Sequence, residues 1–237
     1  MIKIETHCHL KGGSECAHSP VDVGIDAYKK AGYDGIVLTN HIHPVPYLND
    51  YPGTTHKEKM DFWFSLADQF IALMEDRGLR PFIGAEVCVF RPDGKFTECM
   101  IYGFDRKFLY DNKPLFYYTQ EELFRLADKN KIFMYQTHPF RQFVTTGDAK
   151  FMHGAESFNG HIGHENNNAL SKKFCLENGL RRMSGTDYHD EGQTIIGGMY
   201  IPKEIKDEKA LAEYLFNNQP KIIENEELYQ KEYRGTP

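Results

Sequence analysis

The 237-residue sequence has no run approaching the roughly 18 consecutive apolar residues that a membrane helix needs, and its mean hydropathy is −0.57. No membrane association is therefore expected. The opening Met1-Ile2-Lys3-Ile4-Glu5 lacks the basic flank and apolar stretch of a secretory leader, which points to a cytoplasmic protein. Positive charge is in deficit: 28 Lys+Arg stand against 34 Asp+Glu, a formal net charge of −6. With no basic stripe interleaved with aromatics, long nucleic acid is disfavoured as a partner. Cysteine is sparse and unpatterned. Its five copies (Cys8, Cys16, Cys88, Cys99 and Cys175) are odd in number and never spaced as CxxC, so neither a disulfide framework nor a zinc finger is expected. Internal repeats, low-complexity tracts and linker-like stretches are missing as well.

What is present suits one compact domain. The chain is 41% hydrophobic and 26% charged, which excludes disorder, and 237 residues bury a large core more readily than two small ones. Strand-like and helix-like stretches alternate nearly from end to end. Ser19-Pro20 reads as an N-cap followed by the first helical residue, with Gly32 as the stop. Apolar residues at Met60, Phe64, Ala67, Ile71 and Met74 give a long helix over 56–77, closed by Gly78. Thr119 with Glu122 is a capping box. Strands are expected near 35–39, 82–89, 96–104, 132–137, 156–158 and 182–185, and a strand, helix and strand over 196–224 finish the same domain. Repeated strand–helix units imply a mostly parallel sheet, and about seven of them a closed or nearly closed barrel.

Eleven histidines are the unusual feature, and their positions carry the chemistry. His7 and His9 follow the first strand, His41 the strand ending at Thr39, and His138 the strand ending at Thr137. Glu86 sits late in its own strand, and Asp187 and His189 follow the strand near Ser184. Strand C-termini converge on one face of such barrels, so five separate segments deliver imidazole or carboxylate to one rim. Alternate residues of an extended chain point to one side, so His7 and His9 can grip one ion together. Converging buried charges need partners, and nitrogen with carboxylate oxygen suits zinc, manganese or iron. His18, His56, His153, His161 and His164 read as surface, cap or loop residues. His43, although part of a second His-x-His, stands away from its strand end.

The ordered set His7-Cys8-His9, Thr39-Asn40-His41, Gly84-Ala85-Glu86, Thr137-His138-Pro139-Phe140-Arg141 and Ser184-Gly185-Thr186-Asp187-Tyr188-His189 resembles the successive motifs of the polymerase and histidinol phosphatase (PHP) family. The resemblance spans residues 2 to about 201. It implies a distorted (β/α)7, TIM-like barrel in which two or three divalent ions hydrolyse phosphoesters. By that resemblance His7 and His9 bind a first metal with Glu86 and Asp187, and Glu86 bridges to a second held by His138. His41 and His189, completed by Glu15, take a third. Two departures stand out. Asn40 occupies a position that is usually Asp, and Thr97-Glu98-Cys99-Met100 lacks a His often found there, which leaves Glu98 or Cys99 as the substitute.

Arg141 is the expected phosphate-binding group, since a guanidinium gives bidentate bonds to nonbridging oxygens. Asp187 and His189 are expected to help orient the nucleophile, and Asn159 and Asn166 to support the site. The expected activity is metal-dependent hydrolysis of a small phosphomonoester, with two rivals. One is a phosphodiesterase or exonuclease using the same metals; the other is a catalytically silent metal-binding barrel, motivated by Asn40 and the absent His. The loops 43–58 and 141–153, with Tyr47, Tyr51, His56, Phe143 and His153, are the expected walls of the substrate site.

Overall fold

The computed structural model describes residues 1–91 and 94–235. The chain begins with β1 (Ile2–Cys8), α1 (Val21–Lys30), β2 (Gly35–Leu38) and β3 (His41–Ile42). Two helices follow, α2 (Pro44–Asn49) and α3 (His56–Asp76), and then β4 (Arg80–Phe90) and β5 (Phe96–Tyr102). The middle of the chain is α4 (Arg106–Asp111), α5 (Gln120–Lys129), β6 (Phe133–Gln136), β7 (Gly154–Asn159), α6 (Asn168–Glu177) and β8 (Arg181–Gly185). It ends with β9 (Met199–Ile201), α7 (Glu208–Asn217), β10 (Lys221–Ile222) and α8 (Glu226–Gly235).

Seven strands, in the order β1-β2-β4-β5-β6-β7-β8, curl into a nearly closed barrel. Closure comes from the segment after β8, where Asp187 N donates to His7 O at 2.8 Å and His9 N to Tyr188 O at 2.9 Å. Lower down, β9 pairs antiparallel with β1, and β10 with β9. The expected TIM-like barrel is present, but it is distorted around β5, which runs antiparallel to both β4 and β6. Only residues 91–95 join β4 to β5, too few for the dozen or more that a parallel crossover requires, so a hairpin replaces one strand–helix unit.

The capping boxes at Thr55/Glu58 and Thr119/Glu122 open α3 and α5. The start of α1 differs from expectation. Pro20 rather than Ser19 precedes the first helical residue, and Ser19 Oγ turns instead to the Tyr188 hydroxyl at 3.2 Å. Apolar residues pack in two layers. Ile25, Tyr28, Trp63 and Phe70 lie with Ile36, Ala85 and Ile101 in one cluster, whereas Ile4, Val37, Phe82, Met100, Phe133 and Met183 form another.

Bulges reverse the strand alternation at two places. In β1 the register shifts between Glu5 and Cys8, and in β7 between Glu156 and Phe158. A regular strand sends residues an odd number apart to opposite faces, and the extra residue of a bulge cancels that rule. Glu156 and Asn159 accordingly meet, Asn159 Nδ2 donating to Glu156 Oε2 at 2.9 Å. In β1 the Glu5 carboxylate holds the bulge, accepting from the Thr6 and His7 amides at 2.8 Å each and from Thr186 N at 2.9 Å.

Candidate metal centre

The strand ends bring His7, His9, Glu86, His138 and Asp187 into one buried cluster. His7 Nε2 lies 2.9 Å from His9 Nε2, 3.3 Å from Glu86 Oε2 and 3.2 Å from Asp187 Oδ1. His9 Nε2 is 3.2 Å from the same Glu86 oxygen and 3.4 Å from the same Asp187 oxygen. On the far side of its ring, His7 Nδ1–H donates to Glu156 Oε1 at 2.7 Å, which fixes the tautomer and aims the Nε2 lone pair inward. Glu86 turns its other oxygen to His138 Nε2 at 3.3 Å and accepts from Thr137 Oγ1 at 2.5 Å. Asp187 Oδ1 is fully buried and has no hydrogen-bond partner, and the same is true of His138 Nδ1.

Backbone strain marks the same residues. His138 has φ +28° and Asp187 φ +55°, in or near the left-handed region that non-glycine residues rarely occupy. The His138 amide is held by Glu156 Oε2 at 2.8 Å, and the Asp187 amide by His7 O. The barrel therefore over-determines two unfavourable conformations.

Above this inner cluster stands an outer ring of His41, His189 and Glu98. His41 lies opposite Glu86 in the β3–β4 register, with Nδ1 3.5 Å from Glu86 Oε2. The rings of His41 and His189 pack against His9 at centroid separations of 4.5 and 4.6 Å. Glu98 Oε2 is 3.7 Å from His138 Nε2, whereas Cys99, one residue on, points into the apolar core. Strand alternation thus turns Glu98 toward the cluster and Cys99 away from it. Among the described residues, four triads offer ligand atoms within 4.8 Å of one another: His7/His9/Glu86, His7/His138/Asp187, His9/His41/His189 and His41/Glu86/Glu98.

Glu15 is not brought into any of these groups. Glu15 and Cys16 are both exposed at the mouth, whereas Ser14 is buried, and of the two exposed side chains it is the Cys16 sulfur that reaches the ring. Ser14 Oγ sits 3.1 Å from His9 Nδ1 and accepts from His41 N at 3.0 Å, and alternation along the loop sends Glu15 out. Cys16 Sγ takes the inward place, 3.1 Å from His189 Nε2 and 3.5 Å from His41 Nε2. Asn40 is a tether: its Oδ1 accepts from Leu10 N at 3.2 Å.

Arg141 closes one side. Its Nε donates to Asn166 Oδ1 at 2.8 Å, and Nη2 donates to Asn159 Oδ1 at 2.9 Å and Asp187 Oδ2 at 2.5 Å. The two asparagines act by clamping this guanidinium, and among the described residues Nη1 has no protein partner. Arg141 lines a cleft of about 310 Å³ with His138, His161, His164, Asp187 and His189. A cavity of about 270 Å³, lined by Glu15, His43 and Pro46, adjoins it through Cys16, His41 and Glu98. His161 and His164, which the sequence suggests as plain loop residues, therefore face the cleft. The expected walls fare unevenly. Phe143 is exposed, but Tyr47 and His56 bond each other at 2.8 Å, and His153 packs among Phe124, Phe133 and Phe216.

Ionisation follows from these contacts. Burial would raise the carboxyl pKa of Glu86 and Asp187, yet His7 with other cationic neighbours holds both well below the usual range. Burial lowers His7 too, but Asp187, Glu156 and Glu86 outweigh it and leave its pKa well above that of free imidazole. Burial wins at His138, His41 and His189, the last lowered to about 4. Burial and the Glu86 charge push Glu98 up to about 8. Ionised carboxylates with neutral imidazoles are the forms that bind metal, and an added cation would restore charge to Glu98. The donor set fits divalent ions. His7 and His9 present nitrogen, Glu86 and Asp187 present oxygen, and the orphaned Asp187 Oδ1 points among them.

Comparison with known proteins bears on the fold. No protein-family model and no curated protein matches the sequence. Solved structures do match. One is a two-domain protein from Bacteroides vulgatus containing a predicted PHP-like metal-dependent phosphoesterase, 21% identical, covering 98% of this chain and 69% of that one at a TM-score of 0.62. PsfC from Pseudomonas syringae is 16% identical over 98% of this chain and 93% of its own, with a TM-score of 0.64. An amidohydrolase from Chromobacterium violaceum, with sulfate bound and no metal, is 14% identical over 94% and 98% at 0.59. The chain shares the barrel fold of these proteins.

Proposed function

We propose that the protein is a metal-dependent phosphoesterase that hydrolyses a small phosphomonoester. The observation that carries this reading is that His7 Nε2 and His9 Nε2, 2.9 Å apart, each lie within 3.4 Å of Glu86 Oε2 and Asp187 Oδ1, beside an arginine with donors to spare. The two carboxylates draw protons onto these imidazoles, and a divalent cation would take the place of that charge. His7, His9, Glu86 and Asp187 would hold one divalent ion, Glu86 and His138 with Glu98 a second, and His41 and His189 a third position. Zinc, manganese and iron all suit this nitrogen and oxygen set. Such ions supply Lewis-acid chemistry and bring the pKa of water toward neutrality.

The protein's own groups do the rest. Arg141, fixed by Asn159, Asn166 and Asp187, lines the cleft, where its guanidinium would receive phosphoryl oxygens and offset charge that grows there. Asp187 orients both sides of the reaction, one oxygen anchoring Arg141 and the other facing the imidazoles. His189 is held by its Nδ1–H to Asp187 O at 2.9 Å, which turns Nε2 away from that carbonyl and toward the Cys16 sulfur at 3.1 Å. The likeness to a predicted phosphoesterase and to a sulfate-bound barrel supports this assignment.

The test is hydrolysis of an aryl phosphate by protein stripped of metal and then resupplied with manganese, zinc or iron. Activity should vanish on stripping and return with metal. Equal activity in the stripped protein, or full activity in a His7→Ala/His9→Ala protein, would sink the mechanism.

A further inference from the structure

We propose that Cys16 supplies a thiolate ligand to the outermost metal position, where it joins His41 and His189. The inference rests on the metal-site reading above and replaces the carboxylate that the sequence resemblance places there.

Distance comes first. The sulfur lies 3.1 Å from His189 Nε2 and 3.5 Å from His41 Nε2. Ligands at about 2.3 Å (sulfur) and about 2.05 Å (nitrogen) from a tetrahedral zinc stand roughly 3.6 Å apart, so the spacing needs adjustment of only a few tenths of an ångström. Proton counting comes second. His189 Nδ1 faces the Asp187 carbonyl, which only accepts, so that nitrogen carries the proton and Nε2 presents a lone pair. His41 Nδ1 lies buried 3.5 Å from Glu86 Oε2 without a hydrogen bond, and its Nε2 is turned toward the sulfur. Two ring nitrogens thus converge on one thiol that has a single proton to donate. A divalent cation satisfies all three atoms, and the thiol proton passes to solvent as it binds.

The surroundings point to a ligand independently of the cysteine. His9, His41 and His189 form a triad with ring nitrogens within 4.8 Å of one another, and His189 is only 8% exposed. The loop is pinned on both sides of the sulfur. Ser14 Oγ bonds His9 and His41, and the His18 and Ser19 amides donate to His189 O at 3.0 and 2.9 Å. A thiolate makes this position softer than the inner ones and biases it toward zinc or cobalt over manganese.

The experiment is an anaerobic titration of the metal-free full-length protein with cobalt(II), followed by absorption spectroscopy and metal counting. Expected is a sulfur-to-cobalt charge-transfer band in the near ultraviolet beside the visible ligand-field bands. Cys16→Ser, checked for folding by circular dichroism, should lose that band and one equivalent of cobalt while keeping the visible bands of the remaining ions. Cys88→Ser, which alters the buried thiol opposite Glu98 in the β4–β5 register, should retain it. If the unaltered protein binds cobalt without the band, or if the band survives in Cys16→Ser or disappears in Cys88→Ser, the thiolate assignment is overturned and the phosphoesterase reading stands. Folded protein that binds no cobalt overturns both.

Discussion

The inner cluster and the outer ring use the same side chain to opposite ends. His7 and His9 are pulled above the ordinary imidazole pKa, whereas His41 and His189 are pushed below it. Burial acts in the same direction on all four, so the difference lies in their neighbours. His7 touches Glu86, Glu156 and Asp187, all ionised or hydrogen-bonded to ring nitrogen. His189 meets an imidazole face, a backbone carbonyl, a thiol and a single carboxylate oxygen, Asp187 Oδ1 at 3.4 Å, which does not offset its burial. The inner cluster therefore has negative charge to neutralise a cation, and the outer ring is close to neutral. On this basis the inner ions should bind more tightly, and the outer ion should exchange more readily.

The most damaging way to break the distinction is to remove the charge the two regions share. Glu86 Oε2 is within 3.5 Å of ring nitrogens on His7, His9 and His41, and Oε1 serves His138. Glu86→Gln should lower kcat/KM for an aryl phosphate by roughly 10³-fold or more, about 4 kcal/mol of transition-state stabilisation, with inner-site metal lost. Steady-state kinetics and metal analysis measure both. Activity within tenfold of the unaltered protein would show that the carboxylate does not organise the site.

Glu156→Gln probes the inner cluster alone, because Glu156 bonds His7 Nδ1 and the His138 amide but no outer residue. Removing a carboxylate that orients a metal-binding imidazole typically costs about 10- to 100-fold in affinity. Competition with a chelator should show that loss for the inner ions and none for the outer one. An equal loss at both would mean that the two regions are one electrostatic unit.

Glu156 also shows where sequence reading reaches its limit. Residues at strand ends were legible because position alone aims them at one rim: His7, His9, His41, Glu86, His138, Asp187 and His189 all arrive there. Glu156 lies within a strand whose alternation is broken by a bulge, so period-two reasoning gave no reason to link it to Asn159. Its only signal was a carboxylate within the strand-like stretch around Glu156-Ser157-Phe158. Cys16 was hidden differently. It sits on a loop, where side-chain direction depends on turns that periodicity does not encode, and attention fell on the neighbouring Glu15. The antiparallel course of β5 had one readable mark, the short spacing between the two strand runs 82–89 and 96–104, which leaves no room for a crossover. Helices α2 and α4 are short, at 6 residues each, too short for apolar periodicity to declare them.

The gentlest test uses pH on metal-free protein, where the two regions should destabilise the fold from opposite sides. The folded pKa of His189, about 4, lies below the unfolded value near 6.5, so between those limits the unfolded chain binds more protons. Stability then falls as pH drops from about 6.5 toward 4, with each such group contributing at most about 1.4 kcal/mol per pH unit. His41, also lowered, extends the loss further into acid. His7 and His9 have the opposite sign. Their folded pKa values are raised, so the stability they contribute is complete below about 6.5 and is lost as pH rises through the folded values. Thermal melts in chelator should therefore trace a dome with its top near pH 6.5. His189→Asn should flatten the acid limb and His7→Asn the alkaline one. Bound metal, by excluding protons from all four rings, should flatten both. A melting temperature that is level from pH 4 to 9 in chelator would remove the electrostatic difference between the regions.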